Sequence, residues 1–157
     1  MGTGLENTWA LILGASSGFG EAAAIELAAH GMNIFGVHLD RRAALPHVEE
    51  IKEKIKAKGR EAVFFNINAA DEEKRLQTLD EIEQVLDEHG NPGSVRVLMH
   101  SLAFGTLKPY ISDDDKARLS QKNIDMTFNE MANCLVYWTQ GEVARGLMGQ
   151  GGRAKGR

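Results

Sequence analysis

The sequence predicts an α/β fold built on a doubly wound parallel sheet of four strands. Short apolar runs typical of strands alternate with longer amphipathic patterns typical of helices along the 157 residues. Three closely spaced glycines follow the first run, and no repeat or linker divides the chain. Strands separated by one helix each pair in parallel through right-handed crossovers. We therefore expect a single domain.

The first half of the chain contains three of the predicted strands. They cover residues 9–13, 33–39 and 62–67, and each is apolar and short. A helix is predicted over 21–30, with Gly31 as its C-cap. A second helix is predicted from Leu45, Val48, Ile51 and Ile55, which recur at helical spacing, and it ends at Gly59.

The second half contains one more strand and two helices. Asp71 is expected to cap a helix that ends at 89–90, with an apolar stripe of Leu76, Leu79, Ile82 and Leu86. A turn at 91–93 leads to a strand over 95–99, and a long helix is predicted over about 121–148. The tail, 149–157, is Gly-rich and basic and is expected to fray. A sheet that ends at a fourth strand would have an uncovered edge, which is unusual in a complete protein.

Composition excludes several classes of protein. The chain is 43% hydrophobic and 25% charged, with a net charge of −4, which gives no reason to expect binding to nucleic acid or to an anionic membrane. No apolar run approaches the roughly 20 residues that span a bilayer, and no signal-peptide pattern is present. Cys134 is the only cysteine, so the sequence carries no disulfide framework or thiolate metal site. We expect a cytoplasmic protein.

The glycines of the first strand–helix junction, Gly14, Gly18 and Gly20, are the most informative motif. Such glycines allow a tight turn, bring backbone amides up to a pyrophosphate and let the helix pack closely on the strand. The alternative is a tight turn without a ligand. The motif favours a Rossmann-type sheet of order 3-2-1-4, with the ligand between strands one and four. Ser16 and Ser17 would add hydroxyls near the phosphates, and the Phe19 amide would face the pyrophosphate.

The segment 14–20, Gly-Ala-Ser-Ser-Gly-Phe-Gly, resembles the cofactor motif of the short-chain dehydrogenase/reductase superfamily. Two further segments match that family in register. Asn68 lies where the family places an Asp or Asn against the adenine amine. The segment 98–104, Leu-Met-His-Ser-Leu-Ala-Phe, is similar to the enoyl-acyl-carrier-protein reductase branch. The resemblance extends to Arg153.

The resemblance implies an NAD(P)-dependent oxidoreductase and a set of cofactor-binding residues. That set is Gly14, Ser16, Ser17, Gly18, Phe19, Gly20, His38, Asp40, Arg41, Asn68, Ala69, His100, Ser101, Leu102 and Ala103. The family's catalytic Tyr-x-x-x-Lys motif is absent, because Tyr110 is followed by Asp114 and Tyr137 by Gly141. We therefore assign no catalytic residue. Residues 1–157 are interpreted as one NAD(P)-binding domain that lacks the C-terminal part of the family fold.

The end of the second strand gives two interpretations of cofactor choice. Asp40 lies about 20 residues beyond Gly20, where a carboxylate binds the ribose of NAD. An alignment on Gly31 instead places His38 at the discriminating position, with Asp40, Arg41 and Arg42 just beyond it. An arginine there accommodates the extra phosphate of NADP. We favour NADP(H) over NAD(H), although the arginines could also form a solvated helix start.

Other candidate residues have simpler interpretations. In the resembling branch the segment of His100 and Ser101 passes along the cofactor, so His100 is expected to have a structural or cofactor-contact role rather than to act as a base. The remaining histidines have no metal-ligand spacing, and the acidic run 113–115 is expected to be a solvated loop. Classical members of the family hold a relay water with an Asn on the long helix. Met131 lies closest to that position, and Asn133 is the nearest Asn.

The resulting expectation is a reductase of an enoyl or 3-oxoacyl thioester, or of a related carbonyl, that forms a homo-oligomer through the long helix. The oligomer contact is expected to include Leu135, Trp138 and Met148. The alternative is a non-catalytic dinucleotide-binding module or subunit. A nucleic-acid binder would have only the basic residues of the tail to support it.

Overall fold

The computed structural model describes residues 4–91 and 94–148 and contains a four-stranded parallel sheet. The strands are β1 (Trp9–Leu13), β2 (Asn33–His38), β3 (Ala62–Asn66) and β4 (Val95–His100). Their order is β3-β2-β1-β4, which confirms the predicted order. The tail 149–157 and two residues of the predicted turn at 91–93 lie outside the described residues.

Helices cover both faces of the sheet. They are α1 (Gly18–Ala29), α2 (Leu45–Lys56), α3 (Glu72–Glu88), α4 (Gln121–Phe128) and α5 (Cys134–Arg145). A 3-10 turn, Arg42–Ala44, precedes α2, and a π-helical segment, Asn129–Asn133, joins α4 to α5. The predicted long helix is therefore interrupted, and π-helical turns of this kind are frequent at functional sites.

The core has two halves because successive residues of β1 point to opposite faces. Trp9, Leu11 and Leu13 pack with residues of α3 and α5, whereas Ala10 and Ile12 pack with residues of α1 and α2. All five side chains of β1 are fully buried, as expected for a central strand between two helical layers. This burial fixes the carboxyl end of β1 and therefore the glycine loop that follows it.

The C-terminal end of α5 departs from the prediction. The helix ends at Arg145 rather than Met148, because Gly146 adopts a left-handed conformation with φ of 68°. The Leu147 carbonyl then accepts a hydrogen bond from the Val95 amide at 3.0 Å, and Met148 pairs in parallel with Val95. The edge of β4 was predicted to be uncovered. The segment 147–148 of the same chain instead lies beside Val95, the first residue of the strand.

The buried stripe of α3 also differs from the predicted one. Leu79, Ile82 and Leu86 are fully buried, but Leu76 is 40% exposed and Arg75 takes its place in the core. Arg75 precedes Leu79 by four residues, so it lies on the same helix face. Its guanidinium stacks over the Tyr137 ring of α5 at 5.2 Å, which offsets part of the cost of burying the charge.

None of the helices in the described parts of the chain is both long enough and apolar enough to cross a membrane.

Glu142 of α5 is a fully buried acid. Neither of its carboxyl oxygens has a hydrogen-bond partner within the described residues. Loss of solvation disfavours the charged form and raises the pKa of Glu142 from its usual 4.5 to about 8. Between about pH 4.5 and pH 8, Glu142 is therefore a neutral acid in the folded protein and a carboxylate in the unfolded chain.

We expect Glu142 to make the folded state less stable as the pH rises. The neutral acid contributes its full stability below about pH 4.5, and this contribution is lost as the pH rises through about 8. The slope reaches at most about 1.4 kcal/mol per pH unit. Glu142→Gln has no proton to release, so urea unfolding at several pH values should give it the flatter profile. Parallel profiles for the two proteins would contradict the assignment.

Candidate functional site

One pocket of about 400 Å³ lies at the carboxyl ends of all four strands. Its volume is within the range of small-molecule sites. Parallel α/β sheets bind ligands at this edge, where the connections from neighbouring strands diverge. The pocket is lined by Gly14, Ser16, Ser17, Val37, His38, Leu39, Asp40, Ile67, Asn68, Ala69, Ser101, Leu102, Ala103, Phe104 and Glu130.

The glycine loop is held by its neighbours at close range. The Gly14 and Ala15 amides donate to the Val37 carbonyl at 2.8 and 3.0 Å. Gly14 has φ of 91°, and a Cβ there would overlap the Ser101 carbonyl of the next strand end. A Cβ on Gly20 would overlap the Gly14 carbonyl. Only glycine fits at either position, so the loop brings α1 directly against β1.

The N-terminus of α1 has no side-chain cap in this described segment. Ser17 is the N-cap residue, yet its hydroxyl accepts no hydrogen bond from the first-turn amides. In contrast, Asp71 caps α3 and Ser120 caps α4. The free amides and the helix dipole form a site that favours an anion. Ser16 and Ser17 line the pocket, so such an anion would lie inside it.

His38 and Asp40 form a coupled pair where β2 ends. The His38 ring is 4% exposed, and its Nδ1 lies 2.9 Å from Asp40 Oδ2. Burial lowers the pKa of His38, and Asp40 offsets only part of that effect. A carboxylate can only accept, so the His38 Nδ1 carries the proton and donates it to Asp40. This bond fixes the Asp40 side chain at the pocket wall.

The backbone of Asp40 forms two hydrogen bonds with the side chain of Asn66, the last residue of β3. Its amide donates to Asn66 Oδ1, and the Asn66 amide donates back to the Asp40 carbonyl, both at 3.0 Å. Arg41 and Arg42 follow as exposed residues outside the pocket lining. Neither arginine has a carboxylate within 4.0 Å in the described chain. Two unpaired cations therefore stand near the rim beyond Asp40.

The loop after β3 is anchored from α5. The Trp138 indole donates to the Ala69 carbonyl at 2.9 Å, and the Cys134 thiol lies 3.5 Å from the same oxygen. Burial raises the pKa of Cys134 to about 11, so this thiol is a structural donor rather than a nucleophile. Trp138, expected at an oligomer contact, is instead fully buried here, because its ring fills the core and its N–H has a partner.

Two polar contacts connect the pocket to the π-helical segment. Asn68 Nδ2 donates to Glu130 Oε1 at 3.3 Å, and His100 Nε2 donates to the Glu130 carbonyl at 3.0 Å. The His100 ring is therefore engaged with the helix backbone and is outside the pocket lining. Glu130 lines the pocket although sequence reasoning had not selected it. It precedes Met131, which had been placed at the position of the family's Asn.

The pocket contains most of the residues predicted to contact a cofactor. Gly18, Phe19, Gly20, Arg41 and His100 are outside its lining. Gly18 and Phe19 start α1 with exposed side-chain positions, whereas Gly20 packs against the Gly14 backbone. Sequence reasoning missed Glu130 and four apolar residues: Val37, Leu39, Ile67 and Phe104. The apolar residues adjoin predicted ones, so the strand ends could have identified them, but nothing in the sequence marks Glu130.

Comparison with known protein families gives a match over nearly the whole chain. A family model described as short chain dehydrogenase covers residues 8–153. This chain belongs to the short-chain dehydrogenase family. The resemblance carried by the glycine motif is thereby confirmed at the level of the superfamily, a family of NAD(P)-dependent oxidoreductases.

Solved structures share the fold at low sequence identity. A short-chain dehydrogenase/reductase from Serratia marcescens is 18% identical, with a TM-score of 0.72, over 94% of this chain and 54% of that one. A blue fluorescent protein from a metagenomic library, solved with NADPH, is 23% identical, with a TM-score of 0.75, over 94% and 54%. An NAD+-bound xylitol dehydrogenase is 19% identical, with a TM-score of 0.69, over 90% and 48%. The chain spans about half the length of these structures.

Proposed function

We propose that this chain is the dinucleotide-binding part of an NAD(P)(H)-dependent oxidoreductase that reduces an enoyl or 3-oxoacyl thioester, or a related carbonyl. We place the protein in the cytoplasm and interpret residues 1–157 as one domain of a larger fold. The observation that carries the proposal is the uncapped N-terminus of α1, which the glycine loop holds at a pocket between the ends of β1 and β4. Family membership supports the NAD(P)(H)-dependent oxidoreductase, whereas the thioester substrate rests on the resemblance of segment 98–104.

The residues of the pocket fit the parts of a dinucleotide. The first-turn amides of α1 would hold the pyrophosphate, with the Ser16 and Ser17 hydroxyls beside it. The ends of β2 and β3 would hold the adenosine half. The segment 101–103 after β4 would orient the other half. The cofactor would supply the hydride when bound, and the residues of this chain would hold the cofactor in place.

The thioester substrate is supported by the side of the pocket that follows β4. The sequence there is similar to enoyl-acyl-carrier-protein reductases, and its side chains are apolar. Leu102 and Phe104 both line the pocket, and Phe104 is 61% exposed. An exposed aromatic ring at the mouth of a site would favour an apolar acyl chain over a charged substrate.

Titration with NADPH and NADH tests the dinucleotide site directly. Binding is expected to enhance the nicotinamide fluorescence and shift it to the blue, because the ring leaves water for a pocket lined by apolar side chains. No fluorescence change with either nucleotide, in a protein shown to be folded by circular dichroism, would overturn the proposal.

We further propose that NADP(H) is preferred over NAD(H). His38 at the end of β2 is not acidic, and its bond to Asp40 occupies one carboxylate oxygen. Arg41 and Arg42 lie next along the chain, with no carboxylate within 4.0 Å among the described residues, and their guanidiniums would attract a 2′-phosphate. The competing interpretation assigns Asp40, which lines the pocket, to the ribose hydroxyls of NAD.

Arg41→Ala combined with Arg42→Ala is expected to raise the NADPH dissociation constant at least tenfold, which is about 1.4 kcal/mol. The NADH dissociation constant should hardly change, because NADH has no 2′-phosphate. Lys56→Ala with Lys58→Ala removes the same charge at the far end of α2 and serves as the control. Equal losses for both nucleotides would show that the arginines do not distinguish them. A selective loss of NADH binding in Asp40→Asn would favour the NAD interpretation.

A non-catalytic dinucleotide-binding module is the second candidate. It is favoured by the absence of a Tyr-x-x-x-Lys motif from these 157 residues. The coding sequence distinguishes the two, because a Tyr-x-x-x-Lys segment downstream would support the reductase and a gene without one would support the module.

We also propose that copies of this chain associate through the π-helical segment and α5. Met131, Leu135, Val136 and Val143 form an apolar face there, and each of these side chains is between 39% and 50% exposed. Trp138 is excluded from this face by its burial. Apolar faces of this kind mark partners or aggregation.

Light scattering at tens of micromolar is expected to show oligomers, and Leu135→Glu should shift them toward the monomer. The charge would be buried without a partner in the contact. Leu76→Glu on α3 alters a leucine of nearly equal exposure, 40% against 39%, and should leave the oligomer unchanged. A monodisperse monomer for the unaltered chain would contradict the association.

A further inference from the structure

Glu130 is a charged pocket residue whose chemistry the functions proposed above do not use. It lies in the π-helical segment between α4 and α5 and lines the pocket with its side chain partly exposed. No lysine, arginine or histidine comes within 4.0 Å of its carboxylate in residues 4–91 and 94–148. A carboxylate without a cation, in a site for an anionic ligand, is stabilised where a hydrogen-bond donor of that ligand faces it.

Two hydrogen bonds hold Glu130 in a fixed place. Its backbone carbonyl accepts from His100 Nε2 at 3.0 Å, which ties the π-helical turn to the end of β4. Its Oε1 accepts from Asn68 Nδ2 at 3.3 Å, which ties the side chain to the loop after β3. The carboxylate is therefore positioned before any ligand binds, as a residue that recognises a ligand should be.

Asn68 is a weaker acceptor than Glu130 in this arrangement, because its amide oxygen is neutral. Its Oδ1 already accepts from the Ala70 amide at 2.8 Å, and this bond fixes the amide so that Nδ2 faces Glu130. A carboxylate has about four acceptor positions, and Asn68 uses only one of those on Glu130. The main acceptor on the β3 side of the pocket is thus Glu130 rather than Asn68.

The position of Glu130 selects which part of a dinucleotide it meets. The pyrophosphate belongs at α1, and the adenosine ribose belongs at the end of β2. The base of that half then lies against the end of β3, where Ile67 and Ala69 line the pocket and Asn68 contacts Glu130. The exocyclic amine is the only donor group on adenine in a dinucleotide.

We propose that the Glu130 carboxylate accepts a hydrogen bond from the exocyclic amine of the adenine and so selects adenine dinucleotides. This inference rests on the proposed dinucleotide site. It assigns the recognition of the base to a residue of the π-helical turn and gives Asn68 the role of positioning that residue.

The test compares NADPH with its purine analogue, in which a hydrogen atom replaces the amine. The unaltered chain should bind NADPH at least tenfold more tightly, because the analogue offers the carboxylate no donor at that position. In Glu130→Gln a neutral amide replaces the charged acceptor, so the preference should fall to threefold or less. Asp125→Asn makes the same charge change one turn earlier in α4, on an exposed side chain outside the pocket, and should keep the full preference.

Asn68→Ala separates direct recognition from positioning. If Glu130 contacts the base, Glu130→Gln still lowers the preference for NADPH when Asn68 is alanine. An unchanged preference in Glu130→Gln, or a change that vanishes in the Asn68→Ala background, would overturn the assignment while leaving the dinucleotide site intact. Failure of the unaltered chain to bind either nucleotide would overturn both the site and this inference.

Discussion

Gly18→Val is expected to abolish dinucleotide binding, with a loss of affinity of at least about 100-fold, or roughly 2.7 kcal/mol. Gly18 begins α1 directly after Ser17, the last loop residue that lines the pocket, and is itself outside the lining. Its φ is 55°, and none of the described residues lies within 4 Å of where its Cβ would be. That open space is where a pyrophosphate would approach the first-turn amides. A branched side chain would fill it and hold the phosphates away. Titration with NADPH measures the effect.

Gly59→Val is the matched control for backbone strain. Gly59 has φ of 72° and equally open surroundings, but it lies in the turn before β3, at the opposite edge of the sheet. Both substitutions force a branched residue into the left-handed region, which costs about 1–3 kcal/mol of stability. Only Gly18→Val should also lose the nucleotide. Full NADPH affinity in a folded Gly18→Val protein would contradict the proposed position of the pyrophosphate beside Gly18.

Gly20→Val should lose binding for a different reason. A Cβ at Gly20 would overlap the Gly14 carbonyl, so α1 would have to move away from β1. Its midpoint in thermal unfolding should therefore fall well below that of Gly18→Val, because a Cβ at Gly18 has no atom of the described residues within 4 Å. The two variants are thus expected to lose nucleotide binding for different reasons. Gly18→Val blocks the ligand, whereas Gly20→Val disturbs the packing of α1 on β1.

Much of the fold could be predicted from the sequence because its signals are local. Gly31 and Gly59, at the ends of α1 and α2, both adopt the positive φ that glycine allows. The apolar runs became strands in the predicted order, since β1 carries the glycine motif and is flanked by β2 and β4. The position of the pocket followed from that order, because its walls are the strand ends.

The remaining features depend on contacts between residues distant in sequence. Helical spacing alone does not distinguish Leu76 from Arg75, and the Tyr137 ring that stacks on Arg75 belongs to another helix. The π-helical turn is tied to His100, thirty residues earlier, by the bond from its ring to the Glu130 carbonyl. Glu130 enters the pocket only because of that turn, so no local pattern could have indicated it.

In the described residues neither His100 nor Tyr137 is placed to give a proton to a substrate in the pocket, and this leads to the largest expected effect on rate. His100 Nε2 is engaged with the Glu130 carbonyl, and the Tyr137 ring lies under the Arg75 guanidinium. Neither residue lines the pocket. General acid catalysis contributes about 10²–10⁴-fold in rate, and correct placement of the substrate contributes more. In this family the proton comes from the Tyr-x-x-x-Lys motif, which these 157 residues do not contain.

We therefore expect these 157 residues alone to bind NADPH but to reduce crotonyl and acetoacetyl thioesters at least about 10⁴-fold more slowly than the roughly 10 s⁻¹ typical of enzymes. The measurement is the decrease in NADPH absorbance with each thioester at a saturating nucleotide concentration. A longer chain that adds a Tyr-x-x-x-Lys helix beyond β4 should recover the rate, because it supplies both the proton and the substrate wall. Ordinary enzyme rates from the 157 residues would instead locate the proton donor within them, and His100→Gln and Tyr137→Phe would then show which side chain provides it.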